Sequence, residues 1–428
     1  MNVVRHSDLN FPDTIAALNR FAEPSPNVRQ TVAEIITNVR SNGDTALIDY
    51  TFKFGGPSLE PAQLLVNPSE TMAAVASLTD ETRATLAACH ANVTAFASYG
   101  LRQNWSILNA QGVRVGENFD PFRRVGIYVP GGTAPLVSTA IMTVTLATVA
   151  GVSEIVVTTP AGSDGKINSA LLSALQLAGA TEVYKVGGAQ AIAALAFGTE
   201  TIRPVAKIFG PGNQYVIEAK RQVFGKVSID QLPGPSEILI IADETANPAW
   251  VAADLLAQAE HGHDSVIGFL TDSEKLLSAV RAEIDTQSQT LTRQTFLKEV
   301  TGRNAFLILV EDLDQAVQIA NNFSPEHLTI ATRDPAQIAG DIRTAGAIFL
   351  GSWSPVAGGD FLAGPSHTLP TGGAGKSFSG LTVDQFQRRT SILEFDEKSL
   401  RESAPIIAAA ATLEGLDAHA RSATIRLG

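Results

Sequence analysis

Seven histidines occur in 428 residues, and five of them lie beyond residue 260. Two share the stretch LAQAEHGHDS (256–265), as His261 and His263, with Gln258 just upstream. On a helix, Gln258 and His261 fall on one face, where they could share a metal ion. In an extended chain His261 and His263 could chelate instead. A solvated helix C-terminus, where the dipole favours histidine, explains the same residues. In SPEHLTI (324–330) a carboxylate and an imidazole are adjacent, Glu326 and His327. Such a pair can divide general-base work between a water and a substrate hydroxyl. Imidazole suits the task because it titrates at about 6.5. A polar turn is the plain alternative. GGDFLAGPSHTLPTGG (358–373) sets Asp360 and His367 in a glycine-rich loop that can wrap a ligand closely. Glu414 and His419, in LEGLDAHA, are five apart, so a helix would not put them on one face.

Three glycine turns, GGTAP (131–135), GGAQ (187–190) and GPGNQ (210–214), each follow an apolar strand and precede a helix. Backbone N–H groups and a helix N-terminus there can hold an anion, although α/β loops need glycine in any case. None fits the G-x-G-x-x-G fingerprint. GGAGKS (372–377) is not a triphosphate loop either: Pro370 stands where the motif needs glycine, and no apolar strand precedes it.

The elements that must position these residues alternate. From residue 125 onward, apolar strands such as VGIYV, EIVVT, KIF and ILIIA alternate with helices across short Gly-Pro turns. That pattern predicts parallel, doubly wound α/β sheets, with ligands at the C-terminal ends of the strands. A second series follows, from PAWVAADLLAQAEHG to AIFLG. Residues 27–120 read as helices, with Cys89 on an apolar stripe with Leu86, Val93 and Phe96. The expected fold is α/β, with two doubly wound, incomplete Rossmann-like domains, a small N-terminal segment and a helical C-terminal tail. Residues 1–26 form the segment. Residues 27–124 join 237–380 in a first domain carrying the metal and catalytic residues. Residues 125–236 form a second domain with the glycine turns. Residues 381–428 are the helical tail.

Composition narrows the classes. Acidic residues exceed basic ones, 43 to 31, for a net charge of −12, which disfavours nucleic acid as a partner. The uncharged stretch 125–153 is broken by Pro130, Gly131, Gly132 and Pro135, so a buried strand and helix explain it better than a membrane span. The start, MNVVRHSDLN, lacks the apolar core of a secretory signal. One cysteine excludes an intrachain disulfide and a cysteine-based zinc cluster, and fits the cytoplasm.

Taken in order, VGIYVPGGTAPL, VGGAQAIAALAFGT, KIFGPGN, EAKRQV, DQLPGPSE, DLLAQAEHGHD, SPEHL, GSWSPVAGGDFLAGPSHTLPTGG and FQRRTSI resemble histidinol dehydrogenases along nearly the whole chain. The resemblance implies a cytoplasmic, zinc-containing homodimer that oxidises L-histidinol to L-histidine through L-histidinal, reducing two NAD. It implies zinc on Gln258, His261, Asp360 and His419, the last supplied by the partner subunit, and leaves His263 outside the ligand set. It implies His327 as the base that takes the alcohol proton and Glu326 as the group that activates water. Substrate contacts carry over to Ser236, His367 and Glu414, together with Gln258, His261, His327, Asp360 and His419. NAD contacts carry over to Tyr128, Gln190 and Asn213, which lie at or beside the glycine turns. The lone thiol adds a separate constraint: with Cys89 on a buried stripe, aldehyde oxidation would have to run through water rather than a thiohemiacetal. A dehydrogenase of a related amino alcohol, a zinc hydrolase using Glu326, and a non-enzymatic binding protein remain the competing readings.

Overall fold

The computed structural model describes residues 1–18, 25–131 and 135–428. The first glycine turn falls largely on residues 132–134, outside the described residues. The chain opens with β1 (Asn2–Arg5) and α1 (Phe11–Ala17), followed by α2 (Pro26–Lys53), α3 (Pro68–Ser77) and α4 (Asp80–Tyr99). Ser25, Asn67 and Thr79 start the last three helices by accepting N–H groups of the first turn. A hairpin follows, β2 (Trp105–Leu108) and β3 (Arg114–Pro121). Its turn is drawn in by the Asn109 side chain, which accepts from the N–H groups of Gln111 and Val113.

The first α/β series runs β4 (Arg124–Tyr128), α5 (Val137–Val149), β5 (Glu154–Thr158), α6 (Ser169–Ala178), β6 (Glu182–Tyr184), α7 (Gly188–Phe197), β7 (Lys207–Phe209), α8 (Gln214–Val223) and β8 (Ser228–Ile229). Its sheet is parallel, in the order β6-β5-β4-β7-β8. The second series runs β9 (Glu237–Ala242), α9 (Pro248–Ala259), β10 (Val266–Thr271), α10 (Glu274–Gln287), α11 (Gln294–Arg303), β11 (Ala305–Leu309), α12 (Leu313–Phe323), β12 (His327–Ala331), α13 (Pro335–Gly340), β13 (Ala347–Leu350) and α14 (Val356–Phe361). It too is parallel, in the order β1-β11-β10-β9-β12-β13. The chain ends with β14 (Gln387–Glu394), α15 (Glu397–Leu413) and α16 (Asp417–Thr424).

Two doubly wound parallel sheets are therefore present, as the strand–helix alternation predicts. Other expectations need correction. The helices of 27–99 cover the five-stranded sheet of 124–229, not the sheet of 237–380 with which the sequence pattern groups them. Val32 and Leu47 share a core with Ile192 and Val216, and Leu86 and Val93 share one with Ile141 and Ile155. Apolar faces close on the nearest uncovered sheet face, and sequence order does not say which that is. The start of the N-terminal segment belongs to the six-stranded sheet, because β1 pairs with β11 along Asn2–Arg5. Residues 105–121 are strands, and the tail contributes β14, which pairs antiparallel with β3. On α4 the fourth inward residue is Ala97 rather than Phe96, which is exposed. The uncharged stretch 125–153 supplies β4 and α5, and α5 is buried continuously over residues 139–147. No helix among the described residues is long and apolar enough to cross a membrane.

One buried cation pins the N-terminal edge of the five-stranded sheet. The Arg124 guanidinium bonds Glu154 at 2.8 Å and both oxygens of Glu182 at 2.5 and 2.8 Å. Hydrogen bonding to Arg124 is the main reason the Glu182 carboxyl is held down, from 4.5 to about 2. A carboxylate lowered in the folded state stabilises fully above its unfolded value and loses that contribution as pH falls through its folded one. Glu182→Gln should therefore lower the urea midpoint at pH 7, and the gap to wild type should close between about pH 4.5 and pH 2. Solvent reaches the pair, so the gap is expected to be small, about 1 kcal/mol. A gap that persists unchanged at pH 2 would sink this account.

Candidate active site

The topology fixes where the candidate residues meet. Tyr128 ends β4, Gln190 lies in the first turn of α7 after β6, and Asn213 caps α8 after β7. All three stand at the C-terminal edge of the five-stranded sheet, where strand order reverses between β4 and β7. Glu326 and His327 stand at the opposite kind of edge: His327 is the first residue of β12, beside Ile238 of β9. The segment 230–236 joins the C-terminal end of β8 to the N-terminal end of β9. The second and third glycine turns thus stand at C-terminal strand ends, whereas Glu326 and His327 stand at N-terminal ones.

Local backbone delivers that pair. Ser324 ends α12 with a left-handed φ of 55°, and Pro325 turns the chain so that β12 begins at His327. Glu326 and His327 are both buried. Glu326 Oε2 accepts from Ser236 Oγ at 2.6 Å and from the Glu237 N–H at 2.8 Å. Burial raises the Glu326 pKa above the usual carboxylate range, against the opposing pull of His327 and the two donors. His327 Nδ1 lies 3.2 Å from the Glu237 carbonyl, which can only accept, so Nδ1 carries the proton. That leaves Nε2 as the basic nitrogen, 3.5 Å from Asp360 Oδ1. Burial lowers the imidazolium pKa, but Glu326 and Asp360 outweigh it and lift it to about 9.

The metal candidates come from two neighbouring helices. Gln258 lies on α9 and is fully buried, yet neither its Oε1 nor its Nε2 has a hydrogen-bond partner. An amide left so costs about 1–3 kcal/mol, and a ligand that completes it is the natural explanation. His261 follows α9, exposed, and lies near enough to bear on the charges of Glu326, Asp360 and His367. Asp360 lies in the short helix α14, not in an irregular loop as its glycine-rich surroundings suggested. Burial pushes its carboxyl up, but His327, helped by His367 and His261, more than offsets this and holds it below the usual range. His263 is turned away: it pairs with Glu299 and sets its ring edge-on to Phe296. No group of three or more His, Cys, Asp and Glu that could hold a metal occurs among the described residues. Gln258, His261 and Asp360 include only two such residues, so a fourth donor is needed for a closed site.

His367 bridges the two halves. Its Nε2 meets Ser138 Oγ at 3.1 Å and Thr139 Oγ1 at 3.4 Å, in the first turn of α5. Burial lowers its pKa, which favours the neutral ring. Around it the loop is tied down: Gln231 Nε2 donates to the Thr368 carbonyl at 3.2 Å, and the Gly372 N–H donates to Glu237 Oε1 at 3.0 Å.

At the C-terminal edge of the five-stranded sheet, Tyr128 and Gln190 are buried. The Tyr128 hydroxyl accepts from the Gly188 N–H at 3.2 Å, and Gln190 Oε1 has no partner. Asn213 is exposed, and its side-chain oxygen accepts from the N–H groups of Tyr215 and Val216 as a helix cap. A buried, unpartnered amide oxygen beside a glycine turn fits a polar ligand such as a dinucleotide.

Glu414 and His419 are not brought to this site within one chain. Glu414 caps α15 and His419 lies in α16, both exposed, with their backbone groups bonded inside the tail. Cys89 is part-buried against the core of α4, α5 and α6, and burial raises its thiol pKa. Two residues escaped the sequence reading. Glu237 holds the Glu326 carboxylate and the His327 ring through its backbone. Asp254 accepts from the Val356 N–H at 3.2 Å and so anchors the start of α14. The signal for Asp254 was its place four residues before Gln258, on the same helix face; nothing in the sequence signals a backbone contact.

Residues 18–427 match the family described as histidinol dehydrogenase. A histidinol dehydrogenase of Geobacillus kaustophilus is 45% identical over 399 residues, covering 93% of this chain and 94% of that one. One from Bacillus subtilis is 44% identical over 398 residues, covering 93% of each. The crystal structure of a histidinol dehydrogenase from Elizabethkingia anophelis superposes with a TM-score of 0.95 at 35% identity, over 100% of this chain and 98% of that one. With two parallel sheets, a buried Glu326–His327 pair and this likeness along the whole chain, the protein belongs to the histidinol dehydrogenase family.

Proposed function

We propose that the protein oxidises L-histidinol to L-histidine through L-histidinal, using two NAD, as a cytoplasmic homodimer with one zinc per subunit. The observation that carries this reading is the buried constellation of Glu326, His327 and the unpartnered Gln258. Gln258, His261 and Asp360 would hold zinc from one subunit, and His419 of the partner subunit would complete it. When bound, zinc supplies a positive charge that orients the substrate's imidazole and amine, and NAD supplies the acceptor for each hydride. Ser236, His367 and the Glu414 carboxylate reached across the dimer would complete the substrate's surroundings. Tyr128, Gln190 and Asn213 would hold NAD.

His327 acts first. With Nδ1–H fixed on the Glu237 carbonyl, Nε2 takes the hydroxyl proton as hydride leaves the carbinol carbon. Asp360 is one of the two carboxylates that raise the imidazole, and with its charge shared with the metal it would hold, the His327 pKa would fall back toward the working range. Glu326 acts second. Its pKa, raised by burial, makes it a stronger base than a free carboxylate, and it takes a proton from the water that adds to the aldehyde. The second hydride leaves from that hydrate. Cys89, part-buried on α4, is not placed to offer a thiolate instead.

The test is NADH formed per L-histidinol consumed, with and without a zinc chelator. Two NADH, lost with chelator and restored by zinc, are expected. One NADH with aldehyde accumulating would reduce the reading to an alcohol dehydrogenase; none would point to another amino alcohol or to a hydrolase.

The shared site has its own signature. The tail exposes Ile406, Leu413, Leu416 and Ile425, an apolar surface suited to a second subunit. Gln258→Ala and His419→Ala should each be nearly inactive alone. Mixed under conditions of subunit exchange they should regain activity, because one site of each mixed dimer pairs an intact body with an intact tail. Sites built from a single chain would show no recovery.

A further inference from the structure

Two motifs of the sequence, EAKRQV and DQLPGPSE, supply a buried ion pair that the reaction does not use. Lys220, in α8, and Asp230, just after β8, are paired with side chains 0% and 1% exposed. Both are spent on one residue, Gly210. Lys220 Nζ donates to the Gly210 carbonyl at 2.9 Å, and Asp230 Oδ2 accepts from the Gly210 N–H at 2.8 Å. Asp230 Oδ1 also accepts from the Gln231 N–H at 2.6 Å. Gly210 has φ +109°, and a Cβ there would overlap the Tyr128 carbonyl oxygen. The turn after β7 is therefore pressed against the end of β4 at the point where strand order reverses.

We infer that the Lys220–Asp230 pair positions the Gly210–Asn213 turn against Tyr128 and so sets the affinity for the nicotinamide dinucleotide. Ridding the interior of two charges would ordinarily be neutral or stabilising. Here each charge satisfies one backbone group of a residue held in a conformation other side chains avoid. With both peptide groups of Gly210 clamped, the Asn213 cap and the N-terminus of α8 keep a fixed distance from Tyr128. The next residue, Gln231, reaches the Thr368 carbonyl beside His367, so the same segment also touches the substrate loop. The inference rests on the assignment of Tyr128, Gln190 and Asn213 to NAD.

The test is a double variant, Lys220→Met with Asp230→Asn, which removes both charges at nearly constant volume, alongside Asp230→Asn alone. NAD binding is measured by tryptophan fluorescence, zinc binding by chelator competition, and folding by thermal melting. The dissociation constant for NAD should rise about tenfold to a hundredfold in the double variant, with zinc affinity and KM for L-histidinol within twofold or so of wild type. The single variant, which leaves the Lys220 charge buried without its partner, should show a rise in the same direction at least as large, together with a lower melting temperature. A merely structural pair would lower the melting temperature and weaken zinc and NAD together, or leave NAD unchanged, and either result overturns the inference. Tyr128→Phe and Gln190→Ala, measured in parallel, separate the two levels. If they weaken NAD and the double variant does not, the positioning role alone fails; if neither weakens it, the NAD assignment fails and takes the inference with it.

Discussion

Glu326→Gln is expected to lower kcat for conversion of L-histidinol to L-histidine by about 10²–10⁴-fold, the usual worth of a positioned general base. Glutamine preserves shape, and its amide oxygen can still accept from Ser236 and from the Glu237 N–H. It cannot take a proton from water. The loss should therefore fall on the aldehyde step. NADH per L-histidinol should drop from two toward one, and an aldehyde trap should capture the intermediate. KM for L-histidinol should change little, since the side chain keeps its place. His327→Asn should fail differently, because the first hydride transfer itself loses its base and no aldehyde forms. If Glu326→Gln keeps two NADH per substrate with kcat within about threefold, water activation belongs to another group, and His327 is the nearest alternative at 3.6 Å.

The strands, the helices after residue 125 and the approach of Glu326 to His327 were legible because they rest on local pattern. Continuous apolar runs mark strands covered on both faces, and adjacency in sequence guarantees adjacency in space. What escaped depends on contacts between distant segments. The helices of 27–99 carry apolar stripes that say a face is buried but not against which sheet, and they chose the five-stranded one. The strands of 105–121 are largely exposed and lack the apolar run that marks a buried strand, and their partner, β14, lies far along the chain. Asp360 looked like a loop residue because Gly358 and Gly359 precede it, yet Asp254, on α9, anchors the start of a helix there. The sheet edge that holds Glu326 and His327 is set by Ser324 and Pro325, a left-handed residue and a turn that no periodicity reveals. For the same reason Glu414 and His419 read as a solvated helix: their setting within one chain is solvent, and the proposed second subunit would be needed to make them part of a site.

Gln258→Met is the change with opposite signs in the two states of the protein. Without metal, Gln258 holds two polar atoms in a fully buried position on α9 with no partner for either. Methionine fills nearly the same volume with no hydrogen-bonding need. The metal-free variant should therefore be more stable than metal-free wild type, by about 1–3 kcal/mol, the cost of an unsatisfied buried amide. With zinc the order should reverse. Wild type should gain stability in proportion to the logarithm of metal concentration over its dissociation constant, and the variant, lacking the proposed amide donor, should gain far less. Thermal melts of both proteins across a zinc titration should cross. His261→Ala should behave otherwise: the ring is exposed, so its removal relieves no buried group, and only the gain with metal should be lost. Curves for Gln258→Met that run parallel to wild type at all zinc concentrations would show that the amide does not meet the metal. A metal-free variant less stable than wild type would show that the orphaned amide is satisfied by other means. A crossing ties the one unexplained buried group on α9 to the ion, and it explains why a helix otherwise built of apolar inward residues keeps a glutamine among them.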